Sequence, residues 1–233
     1  MATGPERVPR GRVLFVLTSH DRLGDTGRAT GYYLSEVTHP HRVFSNRGYD
    51  VDFASVNGGA APMDPASRDL EDPVNAEFLN SPASAALGAT PAIEHVDASD
   101  YPAVFFPGGH GTMWDLPADP EVARLVAEVY ARGGTVGAVC HGPAALIDVA
   151  LPDGESLLRG RSVTCFSNEE ERDAGLEDVV PFLLEDRLRE QGATVLTAER
   201  FKPQVVVWER LVTGQNPASA RGVALAMVKL LET

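Results

Sequence analysis

The sequence predicts an α/β fold: a doubly wound, mostly parallel sheet sandwiched by helices. Three observations carry this. Short apolar runs rich in β-branched residues recur along the chain, their apolarity is continuous rather than alternating, and helical patterns stand between them. Continuous apolarity is what strands buried on both faces require, and strand-helix alternation is the signature of parallel crossovers. At 233 residues, with 43% hydrophobic and 23% charged side chains, the chain can close one large core.

The predicted strands are "RVLFVLTS" (12–19), "VDFASV" (51–56), "AVFFPGG" (103–109), "TVGAV" (135–139), "SVTCF" (162–166), "ATVLTA" (193–198) and "LVTG" (211–214). Between the first two, "GYYLSEVTHP" (31–40) reads as a short helix that Pro40 ends. "DPEVARLVAEVYARGG" opens with an acidic turn, repeats apolar residues at three and four spacing and ends on glycine, as a crossover helix should. "DVVPFLLEDRLREQG" and "PASARGVALAMVKLLE" read the same way.

Residues 57–100 are too long for an ordinary connection and hold helical candidates near 73–80 and 82–88. They are expected to be an insertion covering one rim of the sheet, as a lid. The domain reading is a flexible N-terminus at 1–11 and one α/β domain over 12–233.

Charge and composition exclude several classes. A net charge of −13 with scattered basic residues argues against nucleic acid as a partner. No apolar run is long enough to span a bilayer, so no membrane partner is expected. "VLFVL" is too short for a secretory signal, and two cysteines make no disulfide framework, which together imply a reducing, cytoplasmic setting.

Chemistry concentrates at "GGTVGAVCHGPAALID" (133–148). A strand ends at Cys140 and a helix is expected to begin with Pro143 in its first turn, while Gly142 permits a sharp turn: the layout of a nucleophile elbow. In open α/β sheets ligands bind beyond the carboxyl ends of the strands. A thiol at a helix N-terminus is expected to have a lowered pKa, whereas the bland alternative is a small buried hydrophobe.

The six histidines are His20, His39, His41, His95, His110 and His141, so any base for the thiol is His141 itself or comes from the loop around His110. Class I glutamine amidotransferases share the elbow but place their histidine far downstream, which excludes that activity here. "FFPGGHGTMWDLP" (105–117) follows another strand, so Gly108, Gly109 and the N–H of His141 are candidate oxyanion donors. Glu36, among apolar and aromatic neighbours, is a candidate proton carrier if burial raises its pKa. Trp114, Tyr32 and Tyr33 are candidate lining residues, or core.

Five segments in order, "TGYYLSEVTHP", "FFPGGHGTMWDLP", "AVCHGPAAL", "TCFSNEEE" and "LVTGQNPASA", resemble the ThiJ/PfpI superfamily and its glyoxalase III, heat-shock-protein-31-like branch, from about residue 12 to 231. The resemblance implies a flavodoxin-like, class I glutamine amidotransferase-like architecture. It implies Cys140 as nucleophile, His141 beside it, Glu36 against the sulfur, and an acid that orients the histidine. That acid is Glu171 by motif, with Glu170 next. Substrate-side residues are Gly108, Gly109, His110 and Trp114. Cys165 stands where relatives often carry glycine; it is read as inert packing, with capture of an oxidised Cys140 as the minor alternative.

The implied activity converts a small reactive carbonyl, methylglyoxal or a related 2-oxoaldehyde, to a 2-hydroxy acid without metal, glutathione or organic cofactor, in a homodimer. The alternatives are a holdase or redox sensor built on an oxidisable Cys140, a deglycase, and another small-molecule hydrolase or hydratase on the same elbow.

Overall fold

A computed structural model describes residues 10–117 and 119–233, and all statements of absence below concern these. The elements in chain order are β1 (Arg12–Leu17), α1 (Leu34–Arg47), β2 (Asp50–Ser55), α2 (Pro73–Leu79), α3 (Pro82–Ala85), β3 (Ala103–Phe106), α4 (Thr112–Asp115), α5 (Pro120–Ala131), β4 (Thr135–Val139), β5 (Ser162–Val163), α6 (Asn168–Asp173), α7 (Leu184–Glu190), β6 (Thr194–Val195), β7 (Val205–Trp208), β8 (Leu211–Gly214) and α8 (Ala220–Leu231).

Six strands form the central sheet in the order β2-β1-β3-β4-β8-β7, parallel throughout except for the antiparallel β7–β8 edge. Successive side chains of each strand enter opposite cores. Leu14, Val16, Val104 and Phe106 join α5 on one face, while Val13, Phe15, Ala103 and Phe105 join α1 and α8 on the other. The chain leaves β1 towards β2 and returns to β3 on the other side, so a crevice opens at the carboxyl ends of β1, β3 and β4.

Several expectations are corrected. β5 and β6 shrink to two residues each and pair only with one another in a separate ribbon. β7 was not anticipated: Val206 is buried but Val207 and Trp208 are exposed, so this edge strand lacks the continuous apolarity of the interior ones. The helix within 178–192 begins only at Leu184, three residues beyond Pro181.

Pro40 does not end α1 but lies inside a fourteen-residue helix. The N–H it lacks would have met the carbonyl of Glu36, and the helix tolerates that single loss before closing on Gly48, which adopts a left-handed φ of 94°.

The segment 57–100 packs α2 against α1 and bridges the β2 edge at Ser55–Ala92 and the loop at Gly59–Thr90. Only Asp64 and Ala66 from it reach the crevice, so the greater part lies along the flank rather than over the rim. Of the expected flexible terminus, residues 1–9 lie outside the described residues, whereas Arg10 donates its N–H to Gly48 at 2.9 Å. No described helix is long and apolar enough to cross a membrane.

Candidate active site

Cys140 follows β4 directly and holds a left-handed φ of 59°, a strained value for a residue with a Cβ. Neighbouring backbone fixes it there: its N–H donates to Gly214 and its carbonyl accepts from Phe166, each at 2.9 Å. The following residues, Gly142–Leu146, form a 3₁₀ turn rather than the expected α-helix. A Cβ on Gly142 would run into the carbonyl of Phe106, so glycine is required for the turn to nest against β3.

The short turn changes the electrostatic expectation. Its dipole is small, and Cys140 is buried beside carboxyl groups. Burial and the charge of Glu36 push the thiol well above its ordinary value, correcting the lowered pKa expected from a helix terminus.

An imidazole nitrogen faces the thiol instead. His141 Nδ1 lies 3.3 Å from Cys140 Sγ, and His141 Nε2 lies 2.7 Å from Glu171 Oε2. An ionised carboxylate only accepts, so Nε2 carries the ring proton and Nδ1 presents its lone pair to the thiol. The other Glu171 oxygen, Oε1, takes the Nε2–H of His110 at 2.9 Å. Burial acts to raise the Glu171 carboxyl, but the two imidazoles outweigh it and hold it well below its usual range. Burial, aided by His110, lowers the His141 pKa, so the ring is neutral near pH 7.

Glu36 enters from the first turn of α1 and is fully buried. Its Oε2 accepts the Gly108 N–H at 2.6 Å, Oε1 is buried with no hydrogen-bond partner, and the carboxyl as a whole interacts with the Cys140 thiol. Burial pushes its pKa up to about 8, against the opposing pull of the Gly108 N–H.

Cys140 and His141 face a cavity of about 180 Å³ whose walls include Leu23, Tyr33, His110, Phe166, Leu176 and Pro217, while Glu36 and Glu171 are not among its lining residues. The geometry sorts the sequence candidates. Glu171, not Glu170, reaches His141; Glu170 instead closes a capping box with Ser167 and accepts from the Phe201 N–H and the Asn216 amide, each at 2.8 Å. Glu169 is exposed.

Gly108 is corrected as an oxyanion donor because Glu36 already takes its N–H. Among the described residues the N–H groups of Gly109 and His141 meet no acceptor, so that pair is available for a developing oxyanion. Trp114 lies outside the cavity and stacks on His20 with ring centroids 5.0 Å apart. Tyr33 lines the cavity, whereas Tyr32 is core.

Cys165 belongs to the core on the opposite face of the sheet from Cys140, and both thiols are free. Arg28, Asp64 and Phe166 line the cavity without having been singled out as site residues; for Phe166, its place two residues before the FSNEEE acids' helix was the available signal.

The atoms of His110, His141 and Glu171 that could ligate a divalent ion lie within 4.8 Å of one another. Neither Cys140 nor Glu36 belongs to this cluster. In this cluster the Nε2 of each imidazole already has Glu171 as its partner.

A model of the DJ-1/PfpI family matches residues 28–230. The glutathione-independent glyoxalase HSP31 of Saccharomyces cerevisiae is 33% identical, covering 95% of this chain and 98% of its own. Among solved structures, Francisella tularensis Rapid Encystment Protein 24 KDa superposes with a TM-score of 0.92 at 40% identity, covering 95% of this chain and 99% of that one. Glyoxalase III of Candida albicans superposes with a TM-score of 0.87 at 32% identity, covering 95% and 97%.

Proposed function

The chain belongs to the DJ-1/PfpI family, and from that premise we propose that it is a glutathione-independent glyoxalase converting a 2-oxoaldehyde and water to a 2-hydroxy acid through Cys140. The observation that carries the catalytic assignment is the 3.3 Å approach of His141 Nδ1 to the Cys140 sulfur at a strained elbow inside a small cavity. Full-length similarity to named glyoxalases supports the reaction class.

The thiol adds to the aldehyde carbon as its proton passes to His141 Nδ1, and Glu171 stabilises the imidazolium that forms. The former carbonyl oxygen, held by the Gly109 and His141 N–H groups, takes that proton back to give a hemithioacetal. Glu36 in its ionised form removes the C1 proton and delivers it to the C2 oxygen, giving an enediol, then takes the C1 hydroxyl proton and returns it at C2 to leave a thioester. A pKa of about 8 places this carboxyl near the pH at which a general base works best. Water then cleaves the thioester, releasing the 2-hydroxy acid and the free thiol. No net electron leaves the substrate: C1 is oxidised as C2 is reduced.

The test is lactate formation from methylglyoxal in glutathione-free buffer, wild type against Cys140→Ala. Turnover that disappears in the variant is expected. A wild type without turnover would leave the oxidisable-cysteine holdase in its place.

A further inference from the structure

The cavity wall holds one lysine or arginine among the described residues, Arg28. Its side chain makes no ion pair and no hydrogen bond there, whereas most of the other arginines of the fold meet a carboxylate. Its backbone is pinned, not loose. The Arg28 carbonyl accepts the Leu23 N–H at 3.0 Å, its N–H donates to Thr26 Oγ1 at 3.2 Å, and Arg22 and Ala29 bridge beside it. Leu23 is buried and anchors the loop.

Arg28 is exposed and Cys140 is buried, so the cavity runs from a cationic mouth to a nucleophilic floor. Much of the wall between them is apolar: Leu23, Ala66, Phe166, Ala174, Leu176 and Pro217. Asp64, the acid at the same mouth, is engaged, taking the Ala66 N–H on one oxygen and the Thr30 hydroxyl on the other. The guanidinium is therefore the group left to be matched, and its fork fits a carboxylate with two parallel hydrogen bonds. A volume of about 180 Å³ lies below the ~300 Å³ at which sites for drug-sized ligands begin, which restricts the occupant to a few carbons.

We propose that Arg28 is a specificity-determining residue and that the preferred substrate is a short 2-oxoaldehyde bearing a carboxylate at the end remote from the aldehyde. This rests on the glyoxalase reading. With the aldehyde at Cys140, the tail carboxylate reaches the mouth, and a neutral 2-oxoaldehyde leaves Arg28 unmatched.

The probes are 4,5-dioxopentanoate, which with water gives 2-hydroxyglutarate, and its uncharged counterpart 2-oxopentanal, which gives 2-hydroxypentanoate. Wild type is expected to favour the charged substrate in kcat/KM, and Arg28→Gln to lower that ratio about tenfold, the size of one charge-assisted hydrogen-bonded contact. Arg28→Lys should recover part of it, and added salt should erode it. An unchanged ratio in Arg28→Gln overturns the proposal.

Binding is read separately from turnover by titrating 2-hydroxyglutarate and 2-hydroxypentanoate into Cys140→Ala protein with and without Arg28→Gln. A selective tenfold loss for 2-hydroxyglutarate supports the subsite, and equal losses or none refute it. Should wild type turn over neither aldehyde, the glyoxalase reading fails, while this titration still decides the role of Arg28.

Discussion

Glu171 bridges two imidazoles: its Oε2 lies 2.7 Å from His141 Nε2 and its Oε1 lies 2.9 Å from His110 Nε2. That single carboxylate fixes the tautomer of the ring facing the thiol and leaves neither of its own oxygens idle. Its neighbour Glu170 serves the backbone of a different turn.

The two glutamates should separate cleanly by experiment. Glu171→Gln removes the charge that stabilises the imidazolium, and kcat should fall at least about 100-fold. Glu170→Ala strands the buried Ser167 and Asn216 donors and the part-buried Phe201 N–H, costing about 3 kcal/mol, or roughly 10 °C in Tm at this chain length, with kcat changed only a few-fold. Turnover and thermal denaturation of both variants check this; the opposite ranking would make Glu170 the orienting acid.

Glu36 should leave a pH signature on stability. Its folded pKa is raised to about 8 from an ordinary 4.5, so between these values the unfolded chain has lost a proton that the folded protein keeps. Stability from this carboxyl is complete below 4.5 and is lost as pH rises through about 8. Glu36→Gln does not titrate, so its Tm relative to wild type should climb between pH 5 and pH 8.5. A difference that stays flat would mean the buried carboxyl is already ionised.

Activity should carry the same group with the opposite benefit. As the proposed base for the C1 proton, Glu36 works ionised, so kcat/KM should rise with pH through about 8 and this rise should be missing from the residual activity of Glu36→Gln. His141 is lowered from its ordinary value of 6.5, so its loss by protonation should begin only below that pH. A pH–rate profile over 5 to 9.5 measures both limbs.

Two aromatic residues that looked alike in sequence should behave differently. Trp114→Phe disturbs a stack with His20 outside the cavity and should leave KM within about twofold. Tyr33→Phe removes a hydroxyl from the cavity wall, and KM should rise several-fold; Michaelis kinetics on methylglyoxal compare them.

Adding a methyl group at Gly108 tests the packing of the floor. A Cβ there would stand 2.6 Å from the His141 nitrogen and 2.9 Å from Glu36 Oε2, closer than such contacts occur. Gly108→Ala should cost at least tenfold in kcat by displacing both groups, even where the protein remains folded by circular dichroism.

The sequence by itself determined the interior of the sheet, the elbow and most of the polar residues that gather at it. A strand buried on both faces must be apolar at every position, so β1, β3 and β4 are written in one dimension. The sharp exit from β4 likewise demands glycine at 142. What only the tertiary structure decided were properties set by neighbours distant in the chain. β7 is stabilised by pairing with β8 rather than by its own pattern, and Pro40 stays helical because α1 is held by packing against α8 and α2. The Gly108 N–H belongs to a carboxyl 72 residues away. The thiol pKa rises because burial outweighs the weak dipole of a five-residue turn. Desolvation and hydrogen-bond pairing depend on what surrounds a group in space, and that is fixed only when the crossovers bring β1, β3, β4 and their loops to a common rim.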